Sequence, residues 1–109
     1  MEKAKGETEP VVAKSPKNTM QAGFKVYLDS ARFFLKKDAQ KSIEYVTRAL
    51  EPGQNKTISK KENGQAFETL GDINLFWNQP DLAIDNYKRS LQNTLNTEVS
   101  IKLAKAFAQ

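Results

Sequence analysis

The chain contains no cysteine and no histidine. Without cysteine there is no disulfide, no thiolate nucleophile and no thiolate metal ligand, and the redox compartment is left open. Without histidine it lacks the side chain that most often moves protons near neutral pH, which is also the usual base of nucleophilic triads and the commonest transition-metal ligand. A glycine-rich phosphate loop is missing as well, the five glycines being scattered over 109 residues,. These absences remove most enzyme chemistry, so the expectation is a non-enzyme with no catalytic, cofactor-binding or metal-binding residues. Long apolar runs are also lacking. The longest, such as Phe33-Phe34-Leu35, fall far short of the ~20 residues a membrane span needs,. Near the N-terminus Glu7, Glu9 and Pro10 stand where the apolar stretch of a signal peptide would lie,. The expected setting is therefore the cytoplasm, or export with a leader already removed.

What is present has the makeup of one domain, with 39% hydrophobic and 28% charged residues,. The net charge of +4 is unevenly spread. Residues 19–63 carry nine basic against five acidic side chains, and residues 64–109 carry four against five. The surplus centres on Lys36, Lys37, Lys41, Lys56, Lys60 and Lys61. A solvated helix face explains such a cluster most simply; a basic nucleic-acid-binding module is the alternative. Against the alternative, these lysines are not interleaved with aromatics expected to be exposed for stacking.

Residues 1–17 hold four lysines, Gly6, Pro10 and Pro16, with Val11-Val12 as the only apolar pair. Such a stretch cannot bury enough surface to offset its ordering entropy, and it reads as a flexible segment ahead of a helical domain over residues 18–109. From Asn18 the periodicity turns helical. Met20, Phe24, Tyr27, Leu28, Ala31, Phe34 and Leu35 recur at three- and four-residue spacing, predicting a helix over about 18–37,. Asp38 is placed to cap a second helix over about 39–51, with Ile43, Val46, Ala49 and Leu50 inward, ended by Pro52-Gly53,. Ser59 caps a third helix to about Asn78, with Phe67, Leu70, Ile73 or Asn74, and Trp77 inward,. Pro80 opens a fourth, over about 80–94, presenting Leu82, Ala83, Ile84, Tyr87, Ser90 and Leu91,. Asn96-Thr97 opens a fifth with Val99, Ile101, Leu103, Ala104 and Phe107. The triplet Asn55-Lys56-Thr57 fits a glycosylation acceptor, a pattern short enough to arise by chance,.

Two helical hairpins in succession invite a search for duplication. Laid over one another at an offset of forty-one, residues 26–50 and 67–91 bring Ser42 onto Ala83, Ile43 onto Ile84, Ala49 onto Ser90 and Leu50 onto Leu91. In the second unit Phe67, Leu70, Gly71, Ala83, Tyr87 and Ser90 follow a pattern that resembles the tetratricopeptide repeat family,. The first unit offers Ser30, Phe33, Ser42, Val46 and Ala49 at matching places, and Leu103, Ala104 and Phe107 begin a third. The sequence departs from the family where Asp29 replaces a leucine, Asn74 an aromatic and Leu95 a closing proline. Small residues at Ser30, Gly71 and Ala104, facing Ser42 and Ala83, are expected where paired helices approach closely.

The resemblance implies an all-α fold of stacked antiparallel hairpins, a right-handed α-solenoid of about two and a half repeats. It also implies a scaffold for protein or peptide binding in a longer signalling or assembly protein. By position the family's concave groove falls on Tyr27, Ala31, Phe34, Glu68, Asp72, Leu75 and Phe76, with Lys105 from the third repeat. Phe34, Leu75 and Phe76 are more often core or inter-repeat packing residues than ligand contacts, and Trp77 is read as structural. Glu68 and Asp72 share one helix face and are expected in solvent, where beside the aromatics they suit a partly apolar, partly basic ligand. The family's clamp for a partner's terminal carboxylate needs lysine and asparagine where Tyr27, Ala31 and Thr69 stand, so that ligand is not expected. The fifth helix would leave one face uncovered, for further repeats or for a second copy of the chain in a homo-oligomer, the former being the first expectation.

Overall fold

The computed structural model describes residues 16–51 and 58–109. The segment 1–15, the Pro52-Gly53 stop, the loop that follows it with Asn55-Lys56-Thr57, and the inward placement of the Met20 side chain lie outside the described residues. Among those described there are five helices and no strand: α1 (Pro16–Phe34), α2 (Ala39–Leu50), α3 (Lys60–Phe76), α4 (Pro80–Asn93) and α5 (Thr97–Phe107). The all-α expectation therefore holds, and no described helix is long and apolar enough to cross a membrane.

The ends of the helices follow local chemistry. The Asp38 carboxylate accepts from the Lys41 amide at 3.1 Å and so satisfies one of the open donors of α2,. At α3, Ser59 accepts from the Glu62 amide at 3.1 Å while the Glu62 carboxylate accepts from the Ser59 amide at 3.0 Å, a reciprocal pair,. Pro80 opens α4, and Asn96 accepts from the amides of Glu98 and Val99 at the head of α5,. Between α3 and α4 the chain turns at Asn78, whose φ of 63° is a left-handed conformation that asparagine tolerates,. One break was not read from the pattern. Gly23 inside α1 has φ 76° and ψ −176°, so the helix is kinked there rather than continuous,.

Packing passes from each helix to the next in chain order, with α1 also resting on α3, while α1 and α4 form no substantial packing. The result is a plate of 42 × 33 × 19 Å, whose thin dimension accommodates two layers of helices ~10 Å across,. This is a helical-repeat-like arrangement, not a closed four-helix bundle. One apolar cluster joins α1, α2 and α3 through Phe24, Tyr27, Leu28, Ala31, Val46, Ala49, Ala66 and Ile73. A second joins α4 and α5 through Ala83, Tyr87, Val99 and Ala106, with Leu75 of α3 packed against it.

Small side chains mark the crossings. A Cβ added to Gly71 would lie 2.5 to 2.9 Å from three ring atoms of Tyr87, and one on Gly64 would lie 2.6 Å from Thr94 Cγ2. Ser42 and Ser90 are buried, and their hydroxyls donate across the hairpins to the Ala31 and Gly64 carbonyls at 2.6 and 2.7 Å. Ser30 is buried as expected, but Ala104 is exposed, because no described element crosses α5 on that side. Ile43, Trp77 and Leu82 are likewise more exposed than the inward stripes predicted, while the open Phe107 agrees with the uncovered face expected of the fifth helix. Each stands at the edge of its helix's apolar arc, where a plate two layers thick supplies no third helix to cover it.

Candidate functional site

The residues expected to line a groove divide into two groups. Tyr27, Ala31 and Phe34 are buried in the plate, where Phe34 stacks on Tyr45 with centroids 5.8 Å apart. They offer a ligand no surface. Glu68, Asp72, Leu75, Phe76 and Lys105 lie on α3 and α5 with part or all of the side chain open.

The packing of α1 explains the difference, because its apolar side chains are buried against both α2 and α3. Ser30 and Ala31 are both fully buried, and the Ser42 hydroxyl donates to the Ala31 carbonyl where α1 meets α2. The exposed positions of α1 include Lys25, Asp29 and Arg32, at the residue spacing of one helix face, and Lys36 follows in the turn after the helix,.

That stripe continues across α3. Lys36 Nζ stands 5.8 Å from the centroid of the Phe76 ring, a cation over an aromatic face,. Phe76 meets Trp77 edge to face at 5.4 Å, and both rings are part-open, 49% and 40% exposed,. The indole Nε1 of Trp77 donates to the Leu35 carbonyl at 2.7 Å, which fixes this ring beside α1. Trp77 thus has a structural bond as well as an open face.

Farther along α3 the carboxylates are not in solvent. Lys102 of α5 reaches Glu68 at 2.7 Å and Asp72 at 3.1 Å, and the Tyr87 hydroxyl donates to Asp72 at 2.6 Å. Glu68 and Asp72 face solvent with only 15% and 31% of their side chains, and Lys102 reaches across from α5 to lie over them. Burial by itself would lower the affinity of Lys102 for its proton, but the hydrogen bond to Glu68 and the charge of Asp72 outweigh it, so its pKa is raised,. The Tyr87 phenol is pushed well above its ordinary range, chiefly by burial and then by its bond to Asp72,. No proton-transfer group is thereby brought toward neutrality. Lys102 was not singled out in the sequence; its signal is a place on the inward face of α5, among Val99, Leu103 and Ala106.

A concavity of about 730 Å³ lies between the outer face of α2 and the α3–α4 turn, walled by Ala39, Ile43, Thr47, Arg48, Trp77 and Gln79. Trp77 lines this concavity and also adjoins the Lys36–Phe76 contact. Among the described residues no group of three or more acidic, histidine or cysteine side chains is arranged to hold a metal. Compared with models of protein families, with curated proteins and with solved structures, the chain finds no match.

Proposed function

We propose that the chain is a protein- or peptide-binding module built as a tetratricopeptide-type helical repeat, and not an enzyme. The observation that carries this reading is the open face formed by successive first helices of the hairpins. It runs from Arg32 of α1 and Lys36 of the turn that follows it, over Phe76 and Trp77, to the Lys102-bridged carboxylates of α3. Half-open rings on a rigid helical frame suit an apolar side chain of an extended segment, and the small glycine and serine residues at the helix crossings support the repeat assignment. Lys102 already pairs with both Glu68 and Asp72 and leaves the trio a single net negative charge, so affinity for a basic ligand is not the principal term. The apolar anchor at Phe76 and Trp77 is.

Selection of peptides from a random displayed library against the whole chain tests the reading. Bound peptides should share an apolar residue, and Phe76→Ala with Lys36→Glu should weaken them at least ~10-fold while the helical circular dichroism stays intact. Unchanged affinity for every selected peptide would remove this face from consideration.

A basic nucleic-acid binder is the second reading, favoured by one observation: Lys36 does sit against an exposed aromatic pair, contrary to the expected separation of basic and stacking residues,. It requires affinity for single-stranded oligonucleotides that falls steeply with salt. Filter binding at two salt concentrations decides between the readings.

A further inference from the structure

The inward face of α5 is fully engaged. Val99 and Ala106 are buried against α4, Leu103 packs with them, and Lys102 bridges Glu68 and Asp72. The opposite face carries Glu98, Ile101, Lys105 and Ala108, spaced three, four and three residues apart, with Ala104 between,. All five are exposed, Ile101 by 51%. Neither Glu98 nor Lys105 has an ion-pair partner among the described residues. Just ahead of the helix Leu95 is 90% exposed, the most open of the large apolar side chains described.

We propose that this face pairs with the same face of a second copy of the chain, the two α5 helices running antiparallel about a two-fold axis beside Ile101. The charge pattern selects that arrangement. A two-fold pairing is isologous, so each contact occurs twice. With the axis beside Ile101, Glu98 of each chain lies level with Lys105 of the partner subunit, and Ile101 meets its own counterpart. The same register sets Leu95 level with Ala108 of the partner subunit, which gives the exposed leucine an apolar neighbour. A parallel pairing would instead align Glu98 with Glu98 and Lys105 with Lys105, two like-charge contacts. The small side chain of Ala104 leaves room for the helix axes to approach. A foreign helix would need a complementary pattern of its own; a second copy supplies it automatically. The helix is only about 16 Å long at 1.5 Å per residue, so the interface belongs to the small, transient class and the dimer is concentration-dependent.

Sedimentation equilibrium of the whole chain over a wide concentration range tests the pairing, and no peptide is involved, so its outcome is independent of the ligand-binding reading. The wild-type chain should show a reversible monomer–dimer equilibrium. Glu98→Lys and Lys105→Glu should each weaken it roughly 10-fold or more, because each creates two like-charge contacts. An equimolar mixture of these two variants should recover dimers, since one then carries lysine at both places and the other glutamate at both. Ile101→Glu should be monomeric, with circular dichroism verifying that it is folded. A wild-type chain that stays monomeric at every concentration would overturn the proposal and leave this face to a further helix or another protein. Dimers that persist in both charge variants, or a mixture that fails to recover, would overturn it equally, placing self-association on another face.

Discussion

Replacing Gly71 by alanine sets two opposed effects against each other, and the structure decides which prevails. In an isolated helix the change is favourable by about 1 kcal/mol, since alanine loses less backbone entropy than glycine on folding. Here the new methyl would lie 2.5, 2.6 and 2.9 Å from Cε1, Cδ1 and Cζ of Tyr87. The ring cannot swing aside cheaply. It is 1% exposed, and its hydroxyl is tied to Asp72 at 2.6 Å. Relief therefore requires α3 and α4 to separate locally, an overpacking cost of roughly 2–3 kcal/mol at the upper part of the usual range. The expected net loss is about 1–2 kcal/mol, which for a domain of this size lowers the melting temperature by roughly 4–12 °C. Urea unfolding followed by far-ultraviolet circular dichroism measures it, and the midpoint should fall with the slope unchanged. Tyr87→Leu removes the obstructing ring atoms, so the double variant should lose less than the sum of the single losses. A raised midpoint for Gly71→Ala, or strict additivity with Tyr87→Leu, would refute the claim that this glycine is required by the helix crossing.

Gly23 offers the contrasting case. An added Cβ meets nothing within 4 Å, yet φ is +76°, so Gly23→Ala should cost about 1 kcal/mol through the backbone alone or straighten the kink, read as a gain in helical ellipticity,. Lys102→Met leaves Glu68 and Asp72 facing one another without their cation and should lower stability by about 1–2 kcal/mol in urea unfolding,. Tyr87 and Lys102 both have raised pKa values in the folded state, so the unfolded chain releases these protons first as pH rises,. The stability they contribute is complete below the ordinary phenol value of 10.0 and is lost progressively above it,. Tyr87→Phe should flatten that alkaline decline, at a cost near neutrality of about 1 kcal/mol for the bond to Asp72,. Ser42→Ala removes a buried donor to the Ala31 carbonyl and should cost about 1–2 kcal/mol in the same assay,.

The helix boundaries were legible because capping chemistry is local. Asp38, Ser59 and Asn96 accept from amides within three residues of themselves, and each does so in the fold, while Pro80 fills a first-turn place where its missing amide costs nothing,. Facing was less legible. Tyr27, Ala31 and Phe34, carried to a groove by matching position in the repeat, are buried in the fold, where α1 packs on both α2 and α3. An apolar stripe fits a groove wall and a packing face alike until its neighbours are in place. The carboxylates of α3 were misread for a different reason. Their cation comes from thirty and thirty-four residues away in sequence, and a lysine on an inward face reads as surface until the neighbouring helix is in place.

Of the five described helices, α3 alone contributes to both apolar clusters: Ala66 and Ile73 belong to the one shared with α1 and α2, and Leu75 to the one shared with α4 and α5. Local opening at either end of the plate can therefore proceed without disturbing the far side, but melting α3 severs both halves at once. Its amides should be the last to exchange with deuterated water, and any force that pulls the two ends apart is transmitted through this one segment.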